Sequence, residues 1–360
     1  MEKNFKILFL ILIFILVFTL LIYQIFLKKN QKIENLSQNE VNSIIENSPA
    51  SNLKWEEITQ NAPWTARDSH VVIVFKNKIW LMGGVEGKEV DNQNPVYGKI
   101  PHASDIWVSE NGKDWGKVEE NAPWGKRRSP GLVVFKNKLW LLGGWTQDFG
   151  ETKNDIWISD DGKNWQLVLY QAPWPAREGH SVLVFADKIW VLGGVDYYKR
   201  KAYNDVWCSE DGKNWKEIIS EAPWEGRYDQ TVNVFQNKLW LIGGMRQGGK
   251  VYKDIWVSEN GKDWQLVTDN PPWEERHGHG TVDYQGKLWI ISGWSADNAI
   301  KDVWYSENGK DWYKTKNDPP FEGREDHGVI VFQDRIWVLG GMAEQKNKWV
   351  WKNDIWASTF

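Results

Sequence analysis

The sequence predicts an all-β domain, a six-bladed β-propeller of four-stranded blades. Three observations carry it: a recurring unit of about fifty residues, strand-like apolar runs inside each unit, and tight-turn signals between them. A tryptophan follows the phrase NGK-D or DGK-N at Trp115, Trp165, Trp215, Trp264 and Trp312, with Trp55 opening the series; the spacings are 60, 50, 50, 49 and 48 residues. Four slots of the repeat hold 23 of the 27 tryptophans, so tryptophan use reports architecture before it reports chemistry.

Within a unit the signals are all β. The runs HVVIVF (70–75) and KIWLMGG (78–84) are continuous and β-branched, as expected of strands covered on both faces. The two residues KN between them suit a tight hairpin. DIWVSE (105–110) and DWGKVEE (114–120) alternate more, as strands nearer the surface do, and the ENGK or EDGK link is an Asn-Gly or Asp-Gly turn. Each unit is thus one four-stranded antiparallel meander, a propeller blade.

Six units give six blades and also a closure. The last unit stops at NDIWASTF, after its third strand, while LKWEEIT (53–59) is a fourth-strand phrase with no blade of its own. An open ring would expose sheet edges and one blade face, so 53–59 is expected to complete the last blade.

With these residues in view, the sequence resembles the kelch-repeat family of β-propellers. Gly83-Gly84, Gly143-Gly144, Gly193-Gly194, Gly243-Gly244 and Gly340-Gly341 match that family's double glycine, as do the later tryptophans; the fifth unit departs, with Ser292-Gly293. The likeness covers 53–360. The SEDGKNW hairpins also resemble the Asp-box turns of sialidases, one residue shorter, and those turns are structural in that family.

Three segments make up the chain: 1–30, 31–52 and 53–360. Residues 7–27 are almost wholly apolar, broken only by Thr19, Tyr23 and Gln24, with lysines on both sides. About 20 such residues span a bilayer, and no small-residue cleavage site follows, so an uncleaved signal anchor is expected rather than a cleaved signal peptide. Basic flanks nearly balance the positive-inside rule; a short N-terminal tail inside and an exported propeller is the expected orientation of this single-pass protein. Residues 31–52 are polar, without periodicity, and read as a flexible spacer.

Composition excludes some classes. The net charge of −4 argues against nucleic-acid binding. The single cysteine, Cys208, permits no internal disulfide. No metal or other cofactor is expected, because the histidine slot (His70, His180, His279, His327) is spread over separate blades and interrupted by Pro130 and Gln230. The propeller is expected to be monomeric.

In a meander the 2–3 loops and the blade-to-blade connections share one end. Here the 2–3 loops are long and unequal, running over about 85–104, 145–154, 195–204, 245–253, 294–301 and 342–353, and such loops are where binding resides. The repeated phrase APWPAREGH (172–180) lies at the same end and carries an arginine in every unit: Arg67, Arg127, Arg177, Arg227, Arg276 and Arg324. Two roles compete for them. A ring of guanidiniums at the channel mouth would attract carboxylates or acidic peptides. Alternatively each bonds loop carbonyls or an adjacent acid (Asp68, Glu178, Glu325), pinning blade to blade. Sharper candidates break the repeat at the mouth: Arg128, Tyr228, Gln230 and His277, with the loop aromatics Trp145, Tyr197, Tyr198, Tyr203, Trp294, Trp349 and Trp351. The aromatics would either grip a partner or pack over the blade ends.

The leading expectation is a membrane-tethered, non-catalytic recognition propeller for a protein or glycan partner, an anionic one if the arginines face the mouth. The kelch resemblance also implies an enzymatic alternative, a sialate-epimerase-like sugar-acid epimerase, for which no acid/base pair is assignable; a copper oxidase is disfavoured by the position of Cys208. Deleting 52–60 is expected to unfold the propeller cooperatively, read as loss of its thermal transition; unchanged melting would refute the closure.

Overall fold

A computed structural model describes residues 49–87, 89–91, 100–346 and 348–359, with the backbone alone considered for 89–91. The apolar stretch 7–27 and most of the spacer lie outside the described residues, among which no helix is long and apolar enough to cross a membrane. The chain divides into two units, 1–52 and 53–360; of the first, a short 3₁₀ turn at Pro49–Asn52 is described.

The described residues of the second unit build six four-stranded antiparallel blades. Blade 1 is Val71–Phe75, Lys78–Met82, Ile106–Ser109 and Trp115–Glu119 in hydrogen-bonded order. Blades 2 to 5 repeat this order, starting at Gly131, Ser181, Thr231 and Gly280. Blade 6 takes three strands from the C-terminal end of the chain, and Lys54–Thr59 supplies the fourth: Trp55 pairs with Ser358 and Glu57 with Trp356. The expected closure is therefore present.

Turn chemistry explains each hairpin. Lys76 and Asn77 both have positive φ (50° and 56°), the signature of the two-residue hairpin turn whose twist matches the strands. In the outer hairpin, Ser109 Oγ accepts from the Gly112 amide at 2.8 Å, and Asn111 Oδ1 accepts from the Lys113 and Asp114 amides. Gly112 needs to be glycine twice over: its φ is 76°, and a Cβ would stand 2.2 Å from the Trp337 ring of the neighbouring blade.

Apolar cores lie between blades. Trp80, Met82 and Ile106 of blade 1 pack on Leu139 and Leu141 of blade 2, under Trp124 and Trp165. The same arrangement joins blade 6 to blade 1 through Trp337, Leu339, Ile79 and Leu81, so the ring is closed by packing as well as by a strand. Two of the expected loops are ordered differently. The segments at 145–154 and 342–353 continue the second and third strands of blades 2 and 6 as β-ribbons, Lys138–Thr146 with Glu151–Ser159 and Arg335–Gln345 with Lys348–Thr359. Each run resumes pairing beyond a bulge at its glycine pair.

The six repeated arginines are the clips of this assembly. All are at most 2 % exposed. Each guanidinium forks onto the aspartate of the D-[IV]-W phrase in its own blade: Asp105, Asp155, Asp205, Asp254, Asp302 and Asp354, at 2.5–2.9 Å for one nitrogen and 2.7–3.1 Å for the other. Each also donates to the carbonyl of the first residue of the glycine pair. The arginine backbone carbonyl then reaches between blades, accepting from the second glycine of the preceding blade, as Arg127 does from Gly84 at 2.9 Å and Arg177 from Gly144 at 2.9 Å. Removing one partner strands a buried charge, so Asp205→Ala should lower stability by about 3–5 kcal/mol. Urea unfolding measures it; a midpoint equal to that of the parent protein would remove the clip from this account.

Candidate functional site

Fixing the arginine fixes the three residues that follow it, and these make three stacked layers about the propeller axis. Asp68, Arg128, Glu178, Tyr228, His277 and Glu325 come first, each bridging to the residue after its glycine pair. Next come Ser69, Ser129, Gly179, Asp229, Gly278 and Asp326, all left-handed with φ between 46° and 60°. Short polar residues and glycine tolerate that conformation best. The third layer is His70, Pro130, His180, Gln230, His279 and His327.

The middle layer is a closed circle of backbone hydrogen bonds. Ser129 donates to Ser69, Gly179 to Ser129, Asp229 to Gly179, Gly278 to Asp229, Asp326 to Gly278, and Ser69 back to Asp326, at 2.8–3.3 Å. Residues of this circle line two cavities. One, of about 350 Å³, is bounded by the circle together with Arg128, Glu178, Tyr197, Tyr228, Met245, His277 and Glu325. The other, of about 260 Å³, is bounded by the circle and the third layer. The circle thus frames the floor of the first cavity, which lies at the loop-rich mouth and is within the size range of ligand sites.

The structure sorts the expected site residues. Arg128, Tyr228 and His277 line the pocket together. Gln230 does not: it lies beneath the floor, donating to Ser181 Oγ at 3.2 Å and to the Leu192 carbonyl at 3.1 Å. Arg67, Arg127, Arg177, Arg227, Arg276 and Arg324 are committed inside their blades and offer no guanidinium to the mouth. Nor do the adjacent acids pair with them. Glu178 instead accepts from Arg128 of the preceding blade at 2.7 and 3.1 Å, and Glu325 Oε2 lies 3.3 Å from His277 Nδ1.

Most of the loop aromatics pack. Trp145 lies under the Arg128 guanidinium at 4.7 Å, Tyr203 under that of Arg177 at 4.3 Å, and Trp351 is buried. Trp294 meets Trp349 edge-on at 6.0 Å. Tyr197 and Tyr198 stay exposed. Glu178, Asp229, Glu325, Asp326, Ser69 and Ser129 join the pocket without having been singled out as ligand groups in the sequence. A signal was there: carboxylates at 229 and 326 occupy a slot that is otherwise serine or glycine.

The pocket is therefore acidic rather than arginine-lined. Burial, then the neighbouring acids Asp326, Asp68 and Asp229, hold Glu325 well above the usual carboxylate range. Asp229 is raised by burial and by Asp326 and Glu178, and Asp326 chiefly by burial. Burial lowers His277 to about 4, leaving it neutral beside Glu325. Burial also raises the Tyr197 and Tyr228 phenols. For Arg128 burial works against the charge, but Glu178 outweighs it and the net shift is upward. Among the described residues no three His, Cys, Asp or Glu side chains group to hold a metal ion.

A family model described as the KLHDC2/KLHL20/DRC7 kelch-repeats domain matches residues 129–341. The chain belongs to the kelch-repeat propellers, whose members generally bind protein partners. No curated protein matches it. Among solved structures, one titled "Structure of YjhT" is similar with a TM-score of 0.65 at 16 % identity, covering 82 % of this chain and 96 % of that one; at this identity the likeness speaks to the fold.

Asp68, beside the pocket and only 1 % exposed, is raised to about 8 by burial and by Asp326, against the pull of Trp351 and Arg128. Its ordinary value is 3.8, so between that pH and about 8 the folded chain holds a proton the unfolded chain has released. Stability from this group therefore falls as pH rises through that window and levels off above it. Asp68→Asn should gain on the parent protein in melting temperature from pH 5 to pH 8. A difference that stays constant with pH would contradict the shift.

Proposed function

We propose that the protein is a non-catalytic recognition propeller, tethered to a membrane by residues 7–27 with the propeller outside, that takes a group of a protein partner into the mouth pocket. One observation carries this: a pocket of about 350 Å³ whose side walls come from the positions where the repeat varies. The conserved-looking parts of the phrase are consumed by the fold, while the first layer holds an acid, a base, a phenol and an imidazole on one frame. Variation on a rigid frame is how loop faces acquire specificity. A glycan is a second occupant compatible with the tyrosines and carboxyls.

The enzymatic reading, a sugar-acid epimerase, draws support from the acids with raised pKa that face a cavity, since such groups serve as general acids. It loses the support expected from the arginines. Six are buried in clips, and Arg128 is forked onto Glu178, so a substrate carboxylate would have to displace that acid.

A thermal-shift screen of the full chain, purified from carbonate-washed membranes, against blocked peptides, neutral oligosaccharides and N-acetylneuraminic acid tests these readings. Recognition predicts a saturable shift with peptide that Tyr228→Ala abolishes, and no turnover. A shift with the sugar acid accompanied by epimerisation would replace it with the enzyme, and recovery of the chain in the soluble fraction would remove the tether.

A further inference from the structure

We propose that the group received by the mouth is a lysine or arginine side chain, carried on an extended segment of the partner that lies across an aromatic platform formed by Phe149, Tyr198 and Tyr197. This rests on the recognition reading and specifies its ligand.

The platform is the first observation. Phe149 is 74 % exposed and Tyr198 69 %, among the most exposed large hydrophobic side chains of the described residues. They sit on the loops of adjacent blades, and the Tyr198 hydroxyl donates to the Gly150 carbonyl, which ties the two loops together. Tyr197, 40 % exposed, runs from this surface into the pocket, where it meets the Tyr228 ring edge-on at 5.6 Å. Exposed aromatics joined to a pocket are how interfaces anchor a partner chain.

Charge is the second. Four carboxyls line the pocket: Glu178, Asp229, Glu325 and Asp326. Arg128 pairs with Glu178 and its charge also acts favourably on Asp229 and Asp326, while His277, 3.3 Å from Glu325, is a neutral imidazole. Asp326 Oδ2 accepts from Ser69 Oγ at 3.0 Å, a hydrogen bond but not a counter-charge. Burial and crowding disfavour the ionised form of these acids, and a cation entering the pocket would favour it by offsetting the repulsion that ionisation brings, whereas an anion would add to that repulsion. The small volume suits one long side chain rather than a folded element. Lysine and arginine also present an apolar stem that the Tyr197 and Tyr228 rings can cover.

Binding of acetyl-Gly-Leu-X-Leu-Gly-amide peptides to the full chain in neutral detergent, with X lysine, norleucine or glutamate, tests this by calorimetry. The lysine peptide should bind roughly tenfold tighter than the norleucine peptide, with the advantage shrinking in high salt. Asp229→Asn with Glu325→Gln should erase that advantage, so that the variant binds the lysine and norleucine peptides equally. Phe149→Ala, on the exposed platform, should weaken lysine and norleucine peptides alike. Equal or tighter binding of the norleucine or glutamate peptide overturns the cationic ligand and leaves recognition standing. Epimerisation of N-acetylneuraminic acid with no peptide bound overturns both, and failure of all three peptides to bind with no turnover overturns the cationic ligand.

Discussion

A buried guanidinium needs a counter-charge and acceptors for its donors, or the fold bears the cost of an unsatisfied charge. In each blade that requirement gathers the recurring phrases of the sequence around one side chain. The D-[IV]-W aspartate takes the fork, its tryptophan Nε1 donates to the same carboxylate at 2.7–2.9 Å, and the first residue of the glycine pair offers its carbonyl. The P-W aromatic lies beside the guanidinium in four blades, at 5.0–5.9 Å. Four motifs scattered over a unit are thus one interaction. Their sixfold repetition follows from the need to build that interaction six times.

The mouth depends on these clips. The arginine side chain locks a connection to its own blade, and its carbonyl locks it to the blade before. With the chain held there, the second residue after each arginine closes a circle of hydrogen bonds in a left-handed conformation. Glycine is not required there, since serine and aspartate fill four of the six positions and bring polar groups to the floor. Identity in the clip leaves identity free to vary one residue later, and that is where the pocket takes its chemistry.

Electrostatics at the mouth runs against a count of charges along the chain. Seven arginines stand in or beside the repeated phrase, yet six neutralise aspartates inside blades and the seventh neutralises Glu178. What remains facing the cavity is carboxyl, and it is raised because burial and like charges disfavour ionisation together. A formal charge near neutrality therefore conceals a strongly polarised site.

Blade number, strand order, hairpin types and the closing role of Lys54–Thr59 were legible in the sequence, because they rest on local turn chemistry and on a pattern repeated until it is unambiguous. Arg128, Tyr228 and His277 were legible as departures from that pattern. The fate of the six arginines was not. Whether a guanidinium faces a channel or a blade depends on an aspartate 26–38 residues away, and only the folded sheet brings the two within bonding distance. The same holds for the pocket's charge. Glu178 meets Arg128 from the next blade, 50 residues on, and Asp326 closes a circle with Ser69 across the whole length of the ring. Sequence determined the repeating unit, whose forces act within about fifty residues; tertiary structure decided the site, whose partners are neighbours only once the ring has closed.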